Sequence, residues 1–169
     1  MRNYLTGAAA LLLACAPQAL AQEDTGDSPD AMPASIETAI ADETRTVDHR
    51  LQDENRHPAE VLLFAGVEPG WRVADLAAGS GYYSQVLSTA VGGDGHVYAQ
   101  NPSWVAENYP DPNTALMAIA ADRPNLSHSV EPIEDFAASI EHPLDAVFMV
   151  LFYHDTGYSG TDRDAMNRA

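Results

Sequence analysis

The sequence predicts a Rossmann-like α/β domain, in which a parallel sheet carries helices on both faces. Short apolar runs that are typical of strands alternate, over residues 71–153, with runs of helical periodicity, which is the pattern of successive βαβ units. The most apolar run, Leu144–Tyr153, has no polar face, so we expect it inside a covered sheet. If it were the last strand it would be an unprotected edge. We therefore expect a chain that is truncated after its fourth strand, with the C-terminal strands missing.

The start of the chain has the features of a secretory signal peptide, residues 1–21. Arg2 gives a positive start, Leu5–Ala16 is an apolar run too short to span a bilayer, and Ala19–Ala21 is a small-x-small cleavage site. The alternative is a lipoprotein box that would leave Cys15 lipidated. We expect an exported protein, periplasmic or extracellular, with no membrane span.

Composition excludes several kinds of chemistry. The formal charge is −17, all eight basic residues are arginines, and these are scattered singly along the chain, so nucleic acid is not an expected partner. Without lysine there is no Schiff-base or phosphate-loop lysine. Cys15 is the only cysteine, and no two histidines have i, i+4 spacing, so we predict no metal site. Nothing in the sequence indicates an oligomeric state.

The segment before the sheet is polar. Residues 22–45 are predicted to be an acidic disordered linker, within which Ile36–Glu43 is compatible with a short helix. The very polar residues 48–57 are expected to lie on the surface of a domain that covers residues 46–169. A helix then begins at Pro58 and ends before Gly66, because proline suits the first position of a helix and glycine the position after the last turn.

The remaining elements are predicted from hydrophobic periodicity and from the residues that interrupt it. The predicted strands are Trp71–Leu76, His96–Gln100, Leu126–Val130 and Leu144–Tyr153. A buried stripe from Tyr82 to Val91 predicts the helix after the first strand, and a second helix is expected over Asn113–Asp122, before Pro124. Ile133–Ser139 is predicted to be a loop and a short helix. A last helix should have Thr161 as its N-cap and Asp164 at the capping-box position.

The loop "GSG", Gly79–Gly81, follows the first strand, where ligands of such sheets bind. Three interpretations compete. A dinucleotide site requires a third glycine where Ser84 stands, and a hydrolase elbow requires glycines where Ala78 and Tyr82 stand. A third interpretation leaves fewer positions unmatched.

The stretch "VADLAAGSGYYS" resembles the first motif of class I S-adenosylmethionine-dependent methyltransferases, in which an acidic residue ends a strand and a Gly-x-Gly loop follows. Asp75, Gly79 and Gly81 match this motif. "RHPAEVLLFAGVEPGWRVADL", "GGDGHVYAQNP" and "LDAVFMVLFYHD" resemble the elements before it, the second strand and the fourth strand. The exported start, "GYYS" and "YHD" resemble a group of exported, predicted bacterial methyltransferases. The resemblance covers residues of about 50 to 165.

The resemblance implies S-adenosylmethionine as the cofactor and assigns its contacts. Asp75 would anchor the methionine end, and the backbone of the loop, with Ala77, Gly79, Ser80 and Gly81, would line the amino-acid moiety. The second strand ends in amides where the family usually has an acid. The implied contacts to the nucleoside are the ribose at Gln100 and Asn101, and the adenine at Glu134, Asp135 and Phe136.

The resemblance also implies a reaction. Tyr153, His154 and Asp155 would face the transferred methyl group, with His154 as the base that Asp155 orients. The remaining histidines, His49 among them, are predicted to be structural or surface residues. The function indicated is methyl transfer to a small molecule. The alternatives are an exported, non-catalytic nucleotide- or metabolite-binding domain of the same fold, and a hydrolase that uses Ser80.

Overall fold

Four parallel strands form the sheet of the domain. In the computed structural model, which describes residues 31–158 and 160–168, the strand order is β3-β2-β1-β4. The strands are β1 (Arg72–Leu76), β2 (His96–Asn101), β3 (Leu126–Val130) and β4 (Ala146–Phe148). The predicted Rossmann-like class is confirmed. The predicted signal peptide and Cys15 lie outside the described residues.

Helices connect the strands and cover both faces of the sheet. Tyr82–Val91 crosses from β1 to β2, and most of its residues are buried. In the part of the chain that the structure describes, no helix has the length and apolar character needed to cross a membrane. The helices are α1 (Ala34–Ala41), α2 (Val47–Arg50), α3 (Asp53–Arg56), α4 (Pro58–Ala65), α5 (Tyr82–Val91), α6 (Ser103–Asn108), α7 (Pro110–Ala121), α8 (Phe136–Ser139) and α9 (Arg163–Met166).

Alternate residues of β1 face two separate cores, because successive strand side chains point to opposite faces of a sheet. Val73 packs in the larger core with helices α1, α4 and α5, whereas Ala74 and Leu76 pack in the smaller core with Phe136. Asp75 therefore lies on the same face as α5. The only charged residue of β1 besides its first is thus placed under the helix that follows the loop.

The prediction of a disordered linker through residue 45 is wrong for residues 34–45. Ile36 and Ala39 of α1 are 1% and 0% exposed and pack in the larger core. Arg45 is 2% exposed. The prediction of disorder followed the acidic composition of this segment, which gives little weight to its few buried apolar residues. The domain begins at about residue 34, before the predicted boundary at 46.

The fourth strand is shorter than the predicted Leu144–Tyr153. β4 covers three residues and lies at the edge of the sheet that the described residues form, paired with β1 alone. Val147 is 57% exposed. The chain leaves the strand direction by Leu151, whose φ is +58°, and continues as a 3-10 helix, Tyr153–Gly157. Apolar character alone does not distinguish a buried strand from an apolar turn.

Two helix starts differ from the predicted ones. α7 begins at Pro110 instead of Asn113, because a proline in the first turn loses no hydrogen bond there. α9 is capped by Asp162 rather than Thr161: the Asp162 side chain accepts a hydrogen bond of 2.9 Å from the Ala165 N–H. By contrast, α4 runs from Pro58 to Ala65, with Gly66 at φ +67°, as predicted.

Candidate functional site

The loop after β1, residues 77–81, has an unusual backbone and lies at the carboxyl end of that strand. Ala77, Gly79 and Gly81 have φ values of +54°, +60° and +85°. Glycine adopts this region at no steric cost, whereas an alanine there is held against its preference. The loop is therefore built for close approach of a ligand to the backbone, and its shape is imposed by its surroundings.

Two buried amides of β2 hold the loop in this shape. Asn101 accepts a hydrogen bond of 2.8 Å from the Gly79 N–H and donates one of 3.0 Å to the Gly79 carbonyl. Gln100 accepts from the Ala77 N–H at 3.3 Å and donates to the Glu131 carbonyl at 2.7 Å. Both amides are at most 1% exposed. Their side chains thus position the loop from beneath.

A cavity of about 210 Å³ lies between this loop and the residues after β4. Its walls combine an anion and a cation, Asp75 and Arg56, with the loop itself and with Tyr82. The cavity lies at the carboxyl ends of β1 and β4, where the strand order reverses and where ligands of doubly wound sheets bind. A pair of opposite charges in one small cavity suits a zwitterionic group.

Asp75 is held in a setting that disfavours its charge. It is 3% exposed. Burial raises its pKa to about 6, although a hydrogen bond of 2.6 Å from the Ser84 hydroxyl and the charge of Arg56 oppose the rise. A bound cationic group would remove the cost of ionising this carboxyl.

Sequence reasoning missed Arg56, which comes from the segment of residues 42–57, called here the N-terminal strap. Residues 48–57 of the strap were expected to lie on the surface, and His49 and Arg56 instead contact or face the loop. The Arg56 guanidinium lies 4.7 Å from the centre of the Tyr82 ring, and its Nε donates to Gln52 Oε1 at 2.9 Å. The Arg56 carbonyl accepts a hydrogen bond from the Tyr83 hydroxyl. No signal in the polar run 48–57 distinguishes this arginine from a solvated one.

His49 of the strap was likewise predicted to be structural or surface. It is 5% exposed, and its Nε2 lies 2.9 Å from the Ser80 Oγ. Its Nδ1 lies 3.3 Å from Gln85 Oε1. The strap therefore contacts the loop directly, through His49 and Ser80.

A second cavity, of about 200 Å³, follows β2. Trp104 and Glu134 line it, together with Pro102 and Ile133. Among the described residues, the buried Nε1 of Trp104 has no hydrogen-bond partner. Of the three residues assigned to adenine, Glu134 lines this cavity, Asp135 is exposed, and Phe136 is buried in the smaller core.

The residues assigned to methyl transfer lie in the 3-10 helix Tyr153–Gly157, after β4. His154 Nε2 is 3.3 Å from Asp155 Oδ1, with the two side chains 69% and 42% exposed. The Tyr153 hydroxyl accepts a hydrogen bond of 3.2 Å from Asn167. Neither His154 nor Asp155 lines the two cavities described above. Leu151, which precedes both residues in the chain, lines the cavity at Asp75.

Known structures resemble this domain. A protein-L-isoaspartate O-methyltransferase matches with a TM-score of 0.50 and 16% identity over 69% of this chain and 43% of its own. A SAM-dependent methyltransferase from Aquifex aeolicus matches with a TM-score of 0.46 and 24% identity over 58% and 50%. An SAH-bound methyltransferase from Podospora anserina matches with a TM-score of 0.46 and 15% identity over 79% and 57%.

The first of these matches shows the fold. This chain has the class I methyltransferase fold. At such low identity the likeness extends to the fold alone, and the chain spans about half the length, or less, of the first two solved structures. No protein-family model and no curated protein matches the sequence.

Proposed function

We propose that this chain is the cofactor-binding part of an S-adenosylmethionine-dependent methyltransferase that acts on a small molecule. The observation that carries the proposal is the cavity in which Asp75 and Arg56 face one space beside the loop of residues 77–81. The amino-acid end of the cofactor carries one ammonium and one carboxylate, which is the complement of these two side chains. The methyltransferase fold supports the same ligand.

The residues fit the amino-acid end of the cofactor. In the proposal, Asp75 accepts from the ammonium, and Arg56 with the loop backbone at Ser80 binds the carboxylate. Gln100 and Asn101 act on the nucleoside through the loop that they hold, since both side chains are buried and already bonded to it. The adenine occupies the cavity of Trp104 and Glu134, where the Trp104 N–H is a donor in need of an acceptor.

The cofactor supplies a methyl group already activated by the sulfonium, so the protein has mainly to align an acceptor. His154, with Asp155 beside it, is the proposed base for the acceptor's proton, and Tyr153 lies at the same end of β4. Because these side chains are exposed, a small acceptor reaches them from solvent. Export through the predicted signal peptide remains a proposal that N-terminal sequencing of secreted protein tests.

Calorimetry on the full chain tests the proposal with three ligands. S-adenosylmethionine and S-adenosylhomocysteine should bind, and methylthioadenosine, which lacks the amino-acid end, should bind at least tenfold more weakly, as expected for the loss of charge-assisted contacts. Arg56→Gln should weaken the first two and leave the third unchanged. Arg72→Gln, at the opposite end of β1, is the matched control. Equal binding of all three ligands would contradict the proposed role of Asp75 and Arg56.

A non-catalytic binding domain is the second candidate, favoured by the position of His154 outside both cavities. Radiolabelled methyl transfer to a panel of hydroxyl, amine and thiol acceptors separates the two. Transfer that His154→Gln slows without weakening cofactor binding supports the methyltransferase. Tight binding with no transfer to any acceptor supports the binding domain.

A further inference from the structure

The hydroxyl of Ser80 is paired with the imidazole of His49 from the N-terminal strap. Ser80 stands at the turn between β1 and α5, flanked by Gly79 and Gly81 in positive-φ conformations. Its Oγ lies 2.9 Å from His49 Nε2. Ser80 also lines a third, open cavity of about 1060 Å³, which the N-terminal strap forms with α7.

Neighbouring groups determine which nitrogen of His49 carries the proton. The backbone N–H of Thr46 donates to Gln85 Oε1 at 3.2 Å, so this atom of Gln85 is the carbonyl oxygen, an acceptor. The same oxygen lies 3.3 Å from His49 Nδ1, which must therefore carry the hydrogen in the neutral ring. The free lone pair of His49 is then on Nε2, directed at the Ser80 hydroxyl.

The environment keeps this imidazole neutral. Burial lowers the pKa of His49, and the charges of Arg45 and Arg56 add to this effect, whereas the Gln85 contact opposes it. The ring of Tyr82 lies edge-on at 5.6 Å and limits its rotation. A neutral, oriented imidazole beside a serine hydroxyl is the arrangement of a nucleophile with its general base.

We propose that Ser80 is a nucleophile activated by His49, and that it takes the acyl group of small carboxylic esters bound in the 1060 Å³ cavity. This activity goes beyond the proposed methyl transfer. Ser80 Oγ forms a bond to the ester carbonyl carbon as its proton passes to His49 Nε2. His49 returns that proton to the alkoxide when the ester C–O bond breaks, and water then releases the acid by the reverse sequence. Gln85 is a positioning residue.

Two contacts make the expected turnover slow. Gln85 is neutral, so it stabilises an imidazolium less than the carboxylate of a Ser-His-Asp triad does. The N–H of Gly81, the residue after the nucleophile, already donates to the Ala78 carbonyl at 3.0 Å and is not free for an oxyanion. Covalent capture of the first step is therefore the appropriate assay.

The test is labelling of the full chain by a fluorophosphonate probe, with the adduct mapped by peptide mass spectrometry. The oxygen of Ser80 should displace fluoride from phosphorus, and Ser80→Ala should abolish the adduct. His49→Gln should slow labelling by about a hundredfold, the usual scale of general-base catalysis. Gln85→Glu should accelerate it, because a carboxylate stabilises the imidazolium.

The chain contains a matched control pair. Ser127 Oγ lies 3.0 Å from His96 Nε2, at an exposed strand position rather than at an elbow. Ser127→Ala should leave labelling unchanged. An adduct equally strong in Ser80→Ala, an adduct at Ser127 instead, or no adduct on the natural chain overturns the proposal. Because labelling needs no S-adenosylmethionine, its failure and a failure of cofactor binding are separate results.

Discussion

The hydroxyl of Tyr82 donates a hydrogen bond of 2.6 Å to Asp53, and so joins the first residue of α5 to the N-terminal strap. The same carboxylate accepts two hydrogen bonds, of 2.6 and 2.9 Å, from Arg45. The Arg45 side chain is 0% exposed and that of Asp53 is 24% exposed. One partly buried ion pair thus fixes the strap, with His49 and Arg56, against the loop after β1.

Asp53→Asn should lower the free energy of unfolding by about 3–5 kcal/mol, because it leaves the buried guanidinium of Arg45 without a counter-charge. Urea unfolding followed by circular dichroism measures the change. Asp48→Asn, at an exposed position of the same strap, should change it by less than about 0.5 kcal/mol. Arg45→Met combined with Asp53→Asn should recover part of the loss. If Asp53→Asn lowers the free energy of unfolding no more than Asp48→Asn does, the ion pair contributes nothing to stability.

The ion pair also shows what the sequence could not predict. The helix of Pro58–Ala65 and the helix after β1 followed from proline, glycine and apolar spacing, which are local signals. The strap has no such signal, because its order depends on partners more than 25 positions away, such as Tyr82 for Asp53 and Gln85 for Thr46. The composition of the strap carries no information about such distant partners. Residues 42–45, which are ordered, were therefore predicted to belong to a disordered linker.

Asp75 should make the protein less stable as the pH rises from about 4 to about 6. Its folded pKa is raised to about 6 by burial, so the folded chain holds a proton that the unfolded chain releases near pH 4, and stability falls across that window. The full cost is roughly 3 kcal/mol. Asp75→Asn removes this cost, so above pH 6 it should be more stable than the natural chain by up to that amount.

Urea unfolding at intervals from pH 4 to pH 8 measures this effect. Asp94→Asn, in the exposed turn before β2, should reproduce the pH profile of the natural chain. If the natural chain and Asp75→Asn show the same dependence of stability on pH, the Asp75 carboxyl ionises in the folded protein at no cost.

Asp42 should give the opposite dependence on pH. Burial would raise its pKa, but hydrogen bonds from Thr44, Thr89 and Arg123 outweigh burial and hold the pKa well below its usual range. The stability that this carboxylate supplies is present above pH 4 and is lost as the pH falls below it. Asp42→Asn should therefore be less stable than the natural chain at pH 6, and the difference should begin to narrow as the pH falls from 4 to 3. Parallel profiles for the two proteins would contradict this assignment.

The site shows a similar division between local and distant information. The motif correctly located Asp75 and the glycine loop at the carboxyl end of β1, because a strand, an acidic residue and small residues in succession form a local pattern. Arg56 and His49 reach that loop only through the strap, so neither was predicted to have a role. Gln100 and Asn101 stand at the predicted end of β2, yet their amides hold the loop, a use that position alone does not reveal.

Gly79 and Gly81 offer a test that separates ligand binding from folding. A Cβ added at Gly79 would meet no protein atom within 4 Å, whereas one at Gly81 would lie 2.8 Å from Leu116 Cδ1. Both positions have positive φ, so each alanine costs about 1–2 kcal/mol of backbone strain. Gly81→Ala must also displace the end of the Leu116 side chain, at a cost of about 1 kcal/mol, and should be the less stable of the two.

For binding we expect the order to differ. Gly79 lines the cavity of Asp75 and Arg56, and the space beside it is where a ligand would approach the backbone. Gly79→Ala should therefore weaken S-adenosylmethionine binding by about tenfold or more while the protein stays folded at 25 °C, as calorimetry and urea unfolding on the same preparation would show. If Gly79→Ala binds as tightly as the natural chain, the open space beside Gly79 is not where the cofactor lies.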